Sequence, residues 1–287
     1  MQEQIWKLEN QTAFEPMHIF ECGQCFRWNQ IEKDTYRGIF GQNVIDVKKE
    51  KNIITFSGNC EKPIQEVVKK YFDLDRDYEA IKAQLIKQDS TLEQSMQYGY
   101  GIRLLNQDLW ETIISFIISA NNNIPRIKSI IERLAKNYGT PIKWKDTTYY
   151  TFPTPEQLSK ASVEDLRKLG LGFRDKRVWE TTKKVVNKEI QLQDWYKEKS
   201  LETVREQLLE LPGVGPKVAD CILLFSDLKR LEVFPNDVWV RRVMNELYIQ
   251  KEESKVTRRE IEKIAKEKYG ALAGIAQQYL FYWKREA

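Results

Sequence analysis

The sequence predicts an α+β protein: an N-terminal antiparallel β-sheet region with helices over 1–97, then an all-helical region over 98–287. Three observations carry this. Short β-rich runs split by Gly and Asn fill the first third, the pattern of hairpins. After about residue 95 the texture changes to helix-length apolar runs with N-cap signals. No long repeat or low-complexity linker separates the two parts, so they are expected to pack closely.

The strand signals are Tyr36-Arg37-Gly38-Ile39-Phe40, a turn at Gly41-Gln42-Asn43, Val44 to Lys48, a polar break at Lys49 to Asn52, and Ile53 to Phe56. Helices are expected near 62–72 and 76–88. Beyond them, Leu109 to Ile118 is apolar and of helix length, and Ile124 to Tyr138 shows helical spacing. Thr154-Pro155 reads as an N-cap with proline in the first turn, and Ser162 opens a helix that stops at Gly170. Further helices fit 175–188, 200–210, 216–226, 238–247, 257–268 and 271–285.

Composition narrows the chemistry. Hydrophobic residues make up 41% of the 287, enough for a real core. The net charge of +4 suits a polyanionic partner without requiring one, since basic residues mostly face water. The single histidine, His18, argues against Ser-His-Asp or Cys-His machinery and multi-histidine metal centres. Enzymatic work would then fall to Lys, Asp, Glu or Cys. Cys22 and Cys25 form a C-x-x-C with no second pair to complete a zinc site and are expected to be packing or incidental thiols; these two, Cys60 and Cys221 are all expected to be free. No apolar run reaches the roughly 18 residues a membrane span needs. The first residues lack the basic start and apolar stretch of a signal peptide. The expected compartment is reducing: the cytoplasm, or the nucleus of a eukaryotic cell.

The most informative segment is Leu211-Pro212-Gly213-Val214-Gly215-Pro216-Lys217-Val218-Ala219-Asp220-Cys221, between two helical patterns. Glycines and prolines here force a tight hairpin, and the N–H groups opening the second helix suit a phosphate. Such a helix-hairpin-helix grips nucleic-acid backbone at Gly213, Val214 and Gly215 without reading sequence. Lys217, in the first helical turn, has two readings. It is a phosphate contact, or a nucleophile whose amine the helix dipole and burial keep neutral. Asp237 in Phe234-Pro235-Asn236-Asp237-Val238 can cap the next helix. The same carboxylate, held in one direction, could stabilise a developing positive charge on a sugar.

With these residues the chain resembles the bifunctional 8-oxoguanine DNA glycosylase/AP lyases of the helix-hairpin-helix, Gly/Pro-rich, Asp superfamily. Gly23-Gln24-Cys25-Phe26-Arg27-Trp28, Gly101 to Leu105, Asn121 to Arg126, Leu169-Gly170-Leu171-Gly172-Phe173-Arg174 and Gly274 to Phe281 resemble further family motifs, in order along nearly the whole chain. The resemblance implies double-stranded DNA carrying oxidised guanine as partner, a monomer, no membrane, and extrusion of the lesion from the duplex. It implies Lys217 as nucleophile and Asp237 as electrostatic partner. It gives Gly23 a carbonyl that accepts the N7 hydrogen found only on the oxidised base, discrimination of roughly 1–3 kcal/mol. Phe281 and Cys221 would sandwich the base and Gln277 would bond its Watson–Crick edge.

Asn121 would fill the vacated space, Arg126 and Arg174 would serve the orphaned cytosine, and Phe173 would wedge the kinked duplex. Leu209, Leu211 and Val214 would offer carbonyls to a monovalent cation; no other cofactor is implied. Trp239 stands where relatives commonly have histidine, which puts one phosphate contact in doubt. Arg126 implies a preference for cytosine opposite the lesion. Two relatives within the superfamily fit less well. No cysteine follows Cys221 to build an iron–sulfur loop, and alkyladenine-type members usually lack the hairpin lysine. A non-catalytic DNA-binding module would need the hairpin but neither Lys217 nor Asp237.

Overall fold

The computed structural model describes residues 3–9 and 12–286; Met1, Gln2, Asn10, Gln11 and Ala287, which fall within the two expected regions, lie outside the described residues. Five strands form one antiparallel sheet: β1 (Gln4–Glu9), β2 (Trp28–Glu32), β3 (Thr35–Phe40), β4 (Asn43–Glu50) and β5 (Ile53–Asn59), in the spatial order β1-β5-β4-β3-β2. The three strand signals read from sequence are β3, β4 and β5. The turn at Gly41 (φ +52°) sets the β3–β4 register, with Phe40 opposite Asn43. Trp28 pairs with Gly38, where a side-chain carbon would fall 2.3 Å from the indole; the bare glycine lets the ring lie across the sheet. Trp28 then stacks on Phe20 at 4.1 Å, within a core that also holds Phe14, Phe56 and Phe72.

Short helix α1 (Pro16–Phe20) precedes β2. After the sheet come α2 (Ile64–Tyr71), α3 (Tyr78–Gln88), α4 (Glu93–Tyr98), α5 (Leu109–Ser119) and α6 (Ile124–Tyr138). Leu85, Leu92 and Met96, from the segment of α3 and α4, join the large helical core rather than the core under the sheet. Next are α7 (Pro155–Leu158), α8 (Val163–Lys168), α9 (Asp175–Val186), α10 (Leu192–Trp195), α11 (Leu201–Leu209), α12 (Pro216–Phe225), α13 (Val238–Met244), α14 (Arg258–Tyr269) and α15 (Ala273–Glu286). Thr154 and Ser162 make the expected caps, both as reciprocal capping boxes.

One correction concerns the region expected to be all-helical. Between α6 and α7 lies a hairpin, β6 (Pro141–Trp144) and β7 (Thr147–Tyr150), turning at Lys145 (φ +52°). It forms because Ile142 and Trp144 bury against Ile39 and Val44 of the main sheet, and the Asn59 amide donates to the Lys143 carbonyl at 2.9 Å. That burial partner is about a hundred residues away in sequence, so no local helical pattern competes with it.

Buried polar contacts lock the two parts together. Gln24, fully buried, donates to the carbonyls of Ile19 (2.9 Å) and Arg103 (2.8 Å) and accepts from the Leu105 N–H (2.9 Å). Arg103 caps the carbonyls of Phe72, Asp73, Arg76 and Ala13. Arg27 pairs with Glu132 at 2.9 Å, and Gln278 of α15 donates to the Cys22 carbonyl at 2.7 Å. The motif residues around 23 and 103 thus hold one loop, residues 21–25, against the helical core. His18 accepts the Gly101 N–H at 3.2 Å and is structural.

Candidate active site and nucleic-acid interface

Helix α11 ends at Leu209 and α12 starts at Pro216, joined by the expected hairpin. The turn closes through Val214 N–H to the Leu211 carbonyl at 3.0 Å, and Gly213 sits at φ +86°. A side-chain carbon at Gly213 would also fall 2.5 Å from Arg177 Cδ. At Gly215 such a carbon would meet nothing within 4 Å, so its bareness leaves that face of the helix start open to an outside group. The carbonyls of Leu209 and Val214 accept no backbone hydrogen bond among the described residues, whereas Leu211 accepts one. Leu209 closes α11, where helix-end carbonyls carry negative partial charge, whereas Leu211 and Val214 lie in the turn. Among the described residues no group of three or more His, Cys, Asp or Glu could hold a metal, and no helix is long and apolar enough to cross a membrane.

Lys217 occupies the first turn of α12, half-buried, with Nζ 5.8 Å from the Phe116 ring. Cys221, one turn on, is buried. The Cys221 sulfur is the main reason the Lys217 ammonium is held above the usual lysine range; burial opposes it and the Asp237 carboxylate assists. Burial in turn pushes the Cys221 thiol up to about 11, so near neutrality an ammonium stands beside a thiol. The direction is opposite to that expected from the helix dipole and burial alone.

Asp237 is the N-cap of α13, and its Oδ1 accepts from Trp239 N–H and Val240 N–H, both at 2.9 Å. The capping reading is thus met, and the cap holds the carboxylate in one direction. Asp220, beside Cys221, is fully buried and held by Arg205 of α11 and Arg258 of α14, both at 2.7 Å. This brace fixes α12 between its neighbours and was not singled out from sequence, because its partners lie 15 and 38 residues away.

Gly23 (φ +80°) faces α15: a side-chain carbon there would lie 3.4 Å from Phe281 Cε1. One turn earlier on α15, Gln277 is 4% exposed and its Oε1 has no hydrogen-bond partner. An unpaired buried amide oxygen is costly unless a ligand supplies the donor. Gly274, without a side chain, lets α15 cross α12 at Leu224, where an added carbon would fall 2.4 Å from that side chain. Cys22 and Cys25 are buried free thiols, as read from sequence, and burial pushes Cys22 up to about 11.

A second cluster lies where α5, α6 and α9 begin or end. Asn121 (φ +52°) is exposed just past α5, and Phe173 is 55% exposed. Arg174 and Arg177 both lie over the Phe173 ring, at 4.2 and 5.1 Å. Arg126 is exposed and reaches the Gly170 carbonyl at 3.3 Å. Arg174, only 2% exposed, donates to the carbonyls of Ala120 (2.6 Å) and Asn121 (2.6 Å). In the free protein it therefore shapes the Asn121 loop. Trp239 is half-buried with the Arg242 guanidinium 5.3 Å from its ring.

Comparisons with known proteins agree with this layout. Residues 7–113 match the 8-oxoguanine DNA glycosylase N-terminal domain family, and residues 114–269 match the HhH-GPD superfamily of base excision DNA repair proteins. An N-glycosylase/DNA lyase of Saccharomyces cerevisiae is 36% identical over 256 residues, covering 80% of this chain and 67% of that protein. An 8-oxoguanine glycosylase/lyase of Clostridium acetobutylicum, solved with double-stranded DNA containing cytosine opposite 8-oxoG, superposes with a TM-score of 0.89 at 40% identity, covering 97% of this chain and 93% of the other. A structure of MBOgg1 with a low-affinity DNA ligand superposes with a TM-score of 0.92 at 41% identity, covering 100% and 99%.

Proposed function

The chain belongs to the 8-oxoguanine DNA glycosylase/lyase family of the HhH-GPD superfamily, and on that premise we propose that it removes 8-oxoguanine from duplex DNA and then cleaves the strand. The observation that carries the proposal is that Lys217 in the first turn of α12, Cys221 one turn on and Asp237 at the cap of α13 lie just past the glycine hairpin. In this reading the hairpin amides of Gly213, Val214 and Gly215 hold a phosphate, and the lesion turns out of the stack. Lys217 Nζ bonds to the sugar C1′ as the glycosidic bond breaks and the base departs with its electron pair. Asp237 stabilises the positive charge on the sugar. The amine loses a proton and its lone pair opens the sugar ring, breaking the C1′–O4′ bond as O4′ takes up a proton, which gives the imine; loss of a C2′ proton then expels the 3′ phosphate by breaking the C3′–O bond.

Gly23, Phe281, Cys221 and Gln277 receive the extruded base, and the unpartnered Gln277 Oε1 supports that role. Asn121 and Phe173 occupy the vacated stack. Exposed Arg126 donates to the orphaned cytosine; Arg174 can join it only by releasing the carbonyls of Ala120 and Asn121. The carbonyls of Leu209, Leu211 and Val214 are proposed to share a monovalent cation with the phosphate. The test is borohydride trapping on duplexes that differ only in lesion and opposite base. The expected result is a covalent adduct with 8-oxoguanine opposite cytosine, weaker opposite adenine, and none with Lys217→Gln. Absence of an adduct with the unaltered protein would leave a DNA-binding module without lyase chemistry.

A further inference from the structure

Arg285 follows Phe281 by four residues, so both stand on one face of α15. Its guanidinium lies over the Phe281 ring, with Cζ 5.0 Å from the centroid. Nη2 donates to the Glu21 carbonyl, and Nε pairs with Glu286 at 2.6 Å. A side-chain carbon at Gly23 would sit 3.0 Å from Arg285 Nη1. Gly23, Phe281 and Arg285 are therefore in mutual contact, tied down on the loop of residues 21–25 that Gln24 and Gln278 anchor to the helical core. A guanidinium is flat and stacks on an aromatic face much as a purine does. Two flat groups cannot occupy the same patch of ring at once.

We infer that Arg285 is a specificity-determining residue: it covers the Gly23–Phe281 surface in the free enzyme, and an entering base must displace it. This rests on the base-receiving role proposed above for Gly23 and Phe281. The displacement penalises every base by the same factor, but the consequence is unequal. A lesion whose insertion is strongly favourable stays almost fully inserted despite the penalty. Undamaged guanine, inserted only in a minor fraction, loses occupancy in direct proportion. The cover thus suppresses attack on normal DNA at little cost to repair.

The experiment compares Arg285→Ala, Arg285→Lys and the unaltered enzyme in single-turnover excision from duplexes carrying 8-oxoguanine or guanine opposite cytosine. A cation–π contact at a partly exposed site corresponds to a factor of about 2- to 30-fold. Arg285→Ala is therefore expected to raise guanine excision by that factor while changing 8-oxoguanine excision less than about twofold, with Arg285→Lys between. A second measurement places 2-aminopurine at the target position, where its fluorescence on binding should be higher with Arg285→Ala. Slower 8-oxoguanine excision by Arg285→Ala, or unchanged behaviour on both duplexes, overturns the inference. An unaltered enzyme that gives no trapped adduct with 8-oxoguanine overturns the functional reading instead, so the two failures are distinct.

Discussion

Asp237 has two physical jobs that one pair of substitutions separates. Its Oδ1 accepts two backbone N–H groups at 2.9 Å, which caps α13, and its charge faces Lys217. Asparagine caps a helix about as well as aspartate and offers one oxygen to the same two N–H groups. Asp237→Asn therefore keeps the cap and removes the charge, losing about 0.3–1 kcal/mol of charge–dipole attraction. For a chain of this size that lowers Tm by roughly 1–3 °C. Asp237→Ala also removes the acceptor, a further loss of about 1 kcal/mol, and should melt some 2–4 °C lower again. The rates should follow a different order. Both variants lack the anion that stabilises sugar charge, so both should lose about 10²- to 10³-fold in single-turnover base excision. Calorimetry and quenched-flow excision on one 8-oxoguanine duplex read the two quantities. An Asp237→Asn enzyme with near-normal rate, or one as unstable as Asp237→Ala, would refute the division of roles.

Gly213→Ala places a side chain at φ +86° against Arg177, so DNA affinity should fall at least tenfold in a fluorescence-anisotropy titration; unchanged affinity would mean that the hairpin does not grip the backbone. Asp220→Ala removes a fully buried carboxylate from two arginines; the half-exposed guanidiniums can turn to water, so the loss should sit near the low end of about 3–5 kcal/mol, read by urea unfolding. The rate of imine trapping should rise with pH from neutrality, because a raised Lys217 pKa leaves little free amine and each pH unit below it gives roughly tenfold less.

Local sequence determined the α+β division, β3 to β5, most helices, and the hairpin with Lys217 and Asp237, because each rests on near neighbours. A turn glycine, a proline in a first helical turn and an N-cap act within four residues, so their signals survive in one dimension. Tertiary structure alone decided the rest. The strands β6 and β7, within a region expected to be all-helical but between its expected helices, carried no local signal, since their burial partners are Ile39 and Val44 of a distant sheet. The direction in which the Lys217 pKa moves depends on Cys221 and on Asp237, 20 residues on in sequence. Arg174, expected to serve the orphaned cytosine, holds the Ala120 and Asn121 carbonyls in the free protein, contacts that only the fold brings together. Arg285 stood four residues past Phe281 in plain sight, but its meaning depends on a carbonyl 264 residues away. Contacts between remote segments depend on how whole surfaces meet, and no short window of sequence encodes that meeting.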